Sequence, residues 1–194
     1  MKALIFDTET TGMVKWKQPP EAPGQPHLIQ LALLLVDTRD WKFMGRYASL
    51  VQLPEGASIE PEAYKAHGIS EQECKEFGIA PIVACSLFNQ MCMRADVIVA
   101  HNMSFDQTVM LASLYRVGNK PERMSDKRLI CTKDESTPVL KLPGKYGDYK
   151  WPTLAEAYTH YTGRELEGAH DALVDTEACL EVFKGLVAEG TVTL

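Results

Sequence analysis

Two runs of four apolar residues, Ala3-Leu4-Ile5-Phe6 and Val97-Ile98-Val99-Ala100, each give way at once to polar and ionisable side chains. Runs this short and this apolar, bounded by turn-forming residues, read as buried strands rather than helices. The polar residues after each run therefore stand at a strand end, where α/β proteins place their ligands. After the first run come Asp7 and Glu9, and then Thr10, Thr11 and Gly12 turn the chain. Side chains at i and i+2 of a strand share a face, so the two acids project together. After the second run come His101 and Asn102, and then Asp106 in the first turn of a helix with apolar positions Phe105, Val109, Leu111, Ala112 and Leu114. Each segment alone has a plainer reading. Asp7 and Glu9 are then two solvated acids, and Asp106 only complements the helix dipole.

A third segment, His170 to Ala178, opens a helix expected over residues 170–189, with Ala172, Leu173, Ala178, Leu180, Val182, Phe183 and Leu186 as its apolar positions. His170 and Asp175 lie within it. Five residues of helix turn through about 500°, which sets the two side chains roughly 140° apart. On that geometry they flank a site without binding one ion as a tight pair. Alone, His170 is an N-terminal helix residue without a role.

The remaining pattern predicts strands at 2–7, 28–37 and 42–52, with a hairpin turn at Asp37-Thr38-Arg39-Asp40. A helix at 80–94 leads to a strand at 96–100, and a helix at 104–117 to a strand at 127–131. Helices at 153–161 and 170–189 finish the chain. The expected class is α/β: a mixed five-stranded sheet, a three-strand antiparallel meander plus two further strands, flanked by helices. At 194 residues this is one domain, residues 1–194.

Taken together, the three segments resemble the DEDDh, or DnaQ-like, 3′–5′ exonucleases of the ribonuclease-H-like superfamily, a family of polymerase proofreading subunits and RNA-trimming enzymes. Its D-x-E pattern is matched by Asp7 and Glu9, its H-N-x-x-F-D by His101, Asn102, Phe105 and Asp106, and its H-x-A-x-x-D by His170, Ala172 and Asp175. Ala66-His67-Gly68-Ile69-Ser70 and Leu154-Ala155-Glu156-Ala157-Tyr158 resemble two further family elements, so the match spans about residues 3–186. Histidine in the third motif, where a sister branch has tyrosine, is similar to the DEDDh branch.

The resemblance implies a two-metal hydrolysis. Asp7, Glu9, Asp106 and Asp175 hold two Mg²⁺ or Mn²⁺ ions, hard cations suited to oxygen ligands. His170 is the implied general base, a task that suits a side chain titrating near neutrality. Thr10 and Met13 match the stretch that meets the terminal nucleotide. Asn102 contacts substrate or caps the helix after it, and Phe105 packs beneath the site. His67 is read as structural.

Two long segments break the pattern. Residues 13–27 carry Lys15, Trp16 and Lys17 among four prolines, and residues 133–151 carry Lys133, Lys141, Lys145 and Lys150 beside Tyr146, Tyr149 and Trp151. Basic residues beside aromatics suit single strands, with cations meeting phosphates and rings stacking on bases. These loops are expected to guide a 3′ end into the site. The net charge of −6 opposes a nucleic-acid partner. The charge is uneven, however: residues 116–150 hold nine Lys or Arg against five Asp or Glu. A local positive face is compatible with an acidic whole.

No apolar run approaches the roughly 20 residues of a membrane span, and no signal peptide is visible. Five cysteines without C-x-x-C pairs point to reduced thiols and a cytoplasmic protein. The expected substrate is nucleic acid with a free 3′ end, with single-stranded DNA cut to nucleoside 5′-monophosphates. An exoribonuclease on the same scaffold and a non-catalytic nucleic-acid-binding or polymerase-accessory module are the alternatives. An unrelated metal-binding α/β protein requires two of the motif matches to be accidental. A polymerase or replication partner fits the family, although the short C-terminus after the last helix favours a stand-alone enzyme.

Overall fold

The computed structural model describes residues 1–119, 124, 126–145 and 147–194. Five strands form one sheet: β1 (Lys2–Thr10), β2 (Leu28–Asp37), β3 (Lys42–Leu50), β4 (Val97–Ala100) and β5 (Arg128–Cys131). Their order is β3-β2-β1-β4-β5. β1, β2 and β3 pair antiparallel, whereas β4 joins β1, and β5 joins β4, in parallel. This is the expected meander plus two strands, the ribonuclease-H-like arrangement.

Seven helices are seen among the described residues: α1 (Pro61–His67), α2 (Glu71–Phe77), α3 (Pro81–Arg94), α4 (Met103–Arg116), α5 (Thr132–Leu140), α6 (Leu154–Thr162) and α7 (Ala172–Ala188). The pleat of β1 divides the core. Leu4 and Phe6 face a cluster with Leu31, Leu33, Phe88 and Met110, on the side of α3 and α4. Ala3 and Ile5 face Leu34, Val36, Leu180 and Phe183, on the side of α7. Side chains alternate along a strand, so Asp7 and Glu9 continue the α7 face and Thr8 continues the α4 face.

Several expectations are corrected. β1 runs on to Thr10, with a register shift between Glu9 and Thr10, instead of ending at residue 7. Residues 61–67 and 71–77, to which the sequence pattern assigns no element, are short helices capped by Gly68 in the left-handed region and by a Ser70–Glu73 capping box. Residues 133–151 are not one loop, because α5 occupies 132–140 with Pro138 inside it. Tyr146 lies outside the described residues, as do residues 120–123 of the basic stretch. The last helix begins at Ala172, not at His170. No helix of the described residues is long and apolar enough to cross a membrane.

Candidate active site

The C-terminal ends of β1 and β4 and the N-terminal ends of α4 and α7 meet around one cavity of about 400 Å³. Asp7, Glu9, Asp106, Asp175 and His170 all line it, as do Thr10, Met13, Asn102 and Phe105. Trp16 lies outside it and is 58% exposed.

Each acid is held differently. Asp106, in the first turn of α4, is 3% exposed, and its Oδ1 accepts from the Thr8 amide at 3.1 Å and the Thr8 hydroxyl at 2.7 Å. The β1 pleat thus orients Asp106 from the strand's other face. Asp175, in the first turn of α7, accepts from the His170 amide through Oδ2 at 3.0 Å. Its Oδ1 is buried without a partner, an uncommon state for a polar atom.

His170 precedes the helix at φ +69°, in the left-handed region that few non-glycine residues adopt. Asp171 is the N-cap, its Oδ1 accepting from the Leu173 and Val174 amides at 2.9 and 3.2 Å. Gln30, opposite Glu9 in the β1–β2 register, donates to Asp171 Oδ2 at 3.1 Å and accepts from the Ala172 amide at 2.9 Å. This clamp ties the start of α7 to the sheet. The helical separation expected for His170 and Asp175 therefore does not apply. Ligand atoms of Glu9, His170 and Asp175 lie within 4.8 Å of one another.

Burial raises the pKa of all four acids, and repulsion from nearby carboxylates adds to it. Asp7 is pushed well above the carboxylate range by burial, and then by Asp106, Asp175 and Glu9. Glu9 rises to about 8, by burial and then by Asp175 and Asp106. Asp106 rises to about 7 by burial, although the two Thr8 hydrogen bonds oppose the shift. Asp175 is raised by burial against the stabilising His170 amide. Four such carboxyls cannot all ionise without an opposing charge. Together with the unpartnered Asp175 oxygen, this donor set fits hard divalent cations.

The neighbouring residues are fixed by local hydrogen bonds and packing. The Thr10 hydroxyl donates to the Gly12 carbonyl at 2.7 Å, which closes the turn. His67 Nδ1 accepts from the Ile69 amide at 3.0 Å, so Nε2 carries the proton and donates to the Thr10 carbonyl at 3.2 Å. Asn102 adopts φ +78° and makes no side-chain cap bond, so its expected capping role is not seen; its Oδ1 accepts from Lys133 instead. Phe105 is half-buried against the α4-side cluster and also faces the cavity. Residues 13–27 wrap around Gln25, 2% exposed, whose side-chain amide bonds the backbone of Lys15, Gln18 and Pro19. Thr8, Gln30 and Asp171 escaped the sequence reading. Asp171 alone carried a signal, as an N-cap residue type before an apolar periodic run.

The sequence profile of a family described as Exonuclease, the RNase T family, matches residues 4–183. The chain belongs to this exonuclease family. It is 29% identical over 146 residues to ribonuclease T of Actinobacillus pleuropneumoniae serotype 5b (strain L20), covering 71% of this chain and 63% of that protein. It is 28% identical over 176 residues to DNA polymerase III subunit epsilon of Buchnera aphidicola subsp. Acyrthosiphon pisum (strain APS), covering 90% of this chain and 68% of that one. Exonuclease I of E. coli, in complex with a dT13 oligonucleotide, shares the fold with a TM-score of 0.77 at 20% identity. The match covers 95% of this chain but 40% of exonuclease I. The exonuclease-family chain thus spans somewhat under two thirds of that ribonuclease T and well under half of exonuclease I.

Proposed function

We propose that this member of the exonuclease family is a metal-dependent 3′–5′ exonuclease that degrades single-stranded DNA to nucleoside 5′-monophosphates. The observation that carries this is the convergence of four buried or half-buried acids from three chain segments, with His170, on one cavity. Binding alone needs no such cluster, which argues against a non-catalytic module. Likeness to an exonuclease crystallised with dT13 and dA16 oligonucleotides supports the choice of DNA.

Asp7, Glu9, Asp106 and Asp175 would hold two Mg²⁺ or Mn²⁺ ions. Bound there, the ions supply Lewis-acid stabilisation to the phosphodiester under attack and lower the pKa of the attacking water. The chain's own residues do the rest. His170, exposed at the cavity mouth, takes the proton of that water as general base. Its backbone amide meanwhile holds Asp175 in place. Thr8 fixes the direction of Asp106. Met13, 67% exposed on the cavity wall, offers the terminal base an apolar contact, and the Thr10-Thr11-Gly12 turn sets its position.

RNA trimming is the second reading, favoured by the likeness to ribonuclease T. Likeness to the epsilon subunit makes a polymerase partner worth testing by co-purification.

The test is hydrolysis of matched 5′-labelled DNA and RNA single strands with Mg²⁺ or Mn²⁺, beside Asp7→Ala. A ladder descending from the 3′ end, lost with EDTA and in the variant, is expected, with DNA cut faster. RNA cut faster transfers the assignment to the second reading. Full activity in Asp7→Ala refutes the site.

A further inference from the structure

One wall of the cavity carries polar machinery that the acids do not use. His101 lines the cavity, and both of its ring nitrogens are engaged. Nε2 lies 3.2 Å from the Pro152 carbonyl, and Nδ1 lies 2.9 Å from the Thr132 hydroxyl. A carbonyl only accepts, so Nε2 carries the proton and Nδ1 accepts from Thr132. Thr132 is fully buried. Burial holds the His101 pKa down at about 4, so this neutral tautomer persists across the working pH range. His101 therefore acts as a strut between the cavity wall and residues 151–153.

That segment is held on both sides of Trp151. The Lys150 amide donates to the Leu142 carbonyl at 3.0 Å. Thr153 caps α6 through a capping box with Glu156. Between these fixed points the Trp151 indole is 66% exposed, although an apolar ring of this size gains by burial. Lys133 Nζ stands 4.6 Å from the indole centroid and donates to Asn102 Oδ1 at 2.6 Å. Asn102 in turn lines the cavity. The cavity wall, an ammonium group and an open aromatic face are thus contiguous on a fixed backbone. Single-strand sites use the same pair, an aromatic face for a base and a cation for a phosphate.

We infer that Trp151 and Lys133 form a single-strand subsite for a nucleotide on the 5′ side of the one being removed, with His101 as the positioning residue that holds the subsite against the cavity. The inference rests on the exonuclease reading. With the 3′ end in the cavity, any subsite outside it takes a nucleotide further 5′. Stacking is indifferent to the identity of the base, so the subsite adds affinity without sequence preference.

The experiment compares two substrates: a short oligodeoxynucleotide, and the 4-nitrophenyl ester of thymidine 5′-monophosphate, which reaches only the cavity. Trp151→Ala is expected to raise KM for the oligonucleotide about tenfold, a typical loss of one base–aromatic stack, with Trp151→Phe retaining most of the affinity. Hydrolysis of the ester should not change. Lys133→Gln should lower the salt dependence of log KM by about 0.7, one phosphate contact on a single strand. His101→Gln should raise oligonucleotide KM and add nothing further in a Trp151→Ala background. Equal effects on both substrates, or none on either, overturn the subsite. Failure of the unmutated protein to hydrolyse either substrate overturns the exonuclease reading beneath it.

Discussion

At the scale of single residues, His170 serves through two different groups. Its amide orients Asp175, and its ring lines the cavity beside the acids. Removing the ring leaves the amide, so His170→Ala should cut turnover by at least about 10²-fold. Metal affinity, read by calorimetric titration with Mn²⁺, should change little. Near-normal rates would remove His170 from the chemistry. The backbone offers a second readout, because φ is +69° there. Left-handed backbone costs non-glycine residues roughly 1–2 kcal/mol. His170→Gly should therefore match His170→Ala in lost turnover and melt about 2 °C higher or more. The types of the five principal residues were legible in the motifs. The backbone conformation of His170 was not, because nothing in the local pattern marks a histidine in the left-handed region.

At the scale of elements, the start of α7 decides the geometry of the third motif. Asp171 caps the helix, and Gln30 binds the cap and the next amide across the sheet. Asp171→Ala should cost about 1 kcal/mol, the usual loss of a good N-cap, and lower the melting temperature by roughly 2–4 °C. Turnover should fall with it, since His170 and Asp175 lose their common anchor, and Asp171→Asn should restore most of both. Unchanged kinetics in Asp171→Ala would show that the clamp is dispensable. The long elements were legible because each buries a periodic face. Helices α1 and α2 were not: α1 buries no residue and α2 only Cys74, so neither carries an apolar period. Helix α5 hid for a related reason, burying only Thr132 and Ser136 and containing Pro138.

At the scale of the whole molecule, the gathered acids make stability depend on pH and metal together. Their folded pKa values are raised, Glu9 to about 8 and Asp106 to about 7. From about pH 4 upward the unfolded chain has released these protons while the folded chain still holds them. Metal-free stability therefore falls as pH rises toward about 8. His27, His67 and His101 have lowered values and act in the opposite sense below their ordinary 6.5. The acids are thus read most cleanly between about pH 6.5 and 8. In EDTA the melting temperature should fall across that window, and the increase produced by Mg²⁺ should be larger at the upper end. An increase independent of pH would show that the carboxyls do not share the ions. By itself the sequence determined the order of the strands and of the longer helices, the residue types of the candidate site and the α/β class, because short apolar runs, helical periodicity and spaced motifs are local properties of the chain. Only the tertiary structure decided that Thr8 on one face of β1 aims Asp106 while Asp7 and Glu9 on the other meet Asp175. The same holds for Gln30 seating the start of α7, for Trp16 lying outside the cavity, and for Lys133 linking the Trp151 ring to Asn102 on the cavity wall. Those pairings join residues far apart in the chain, and pleat, register and packing set them.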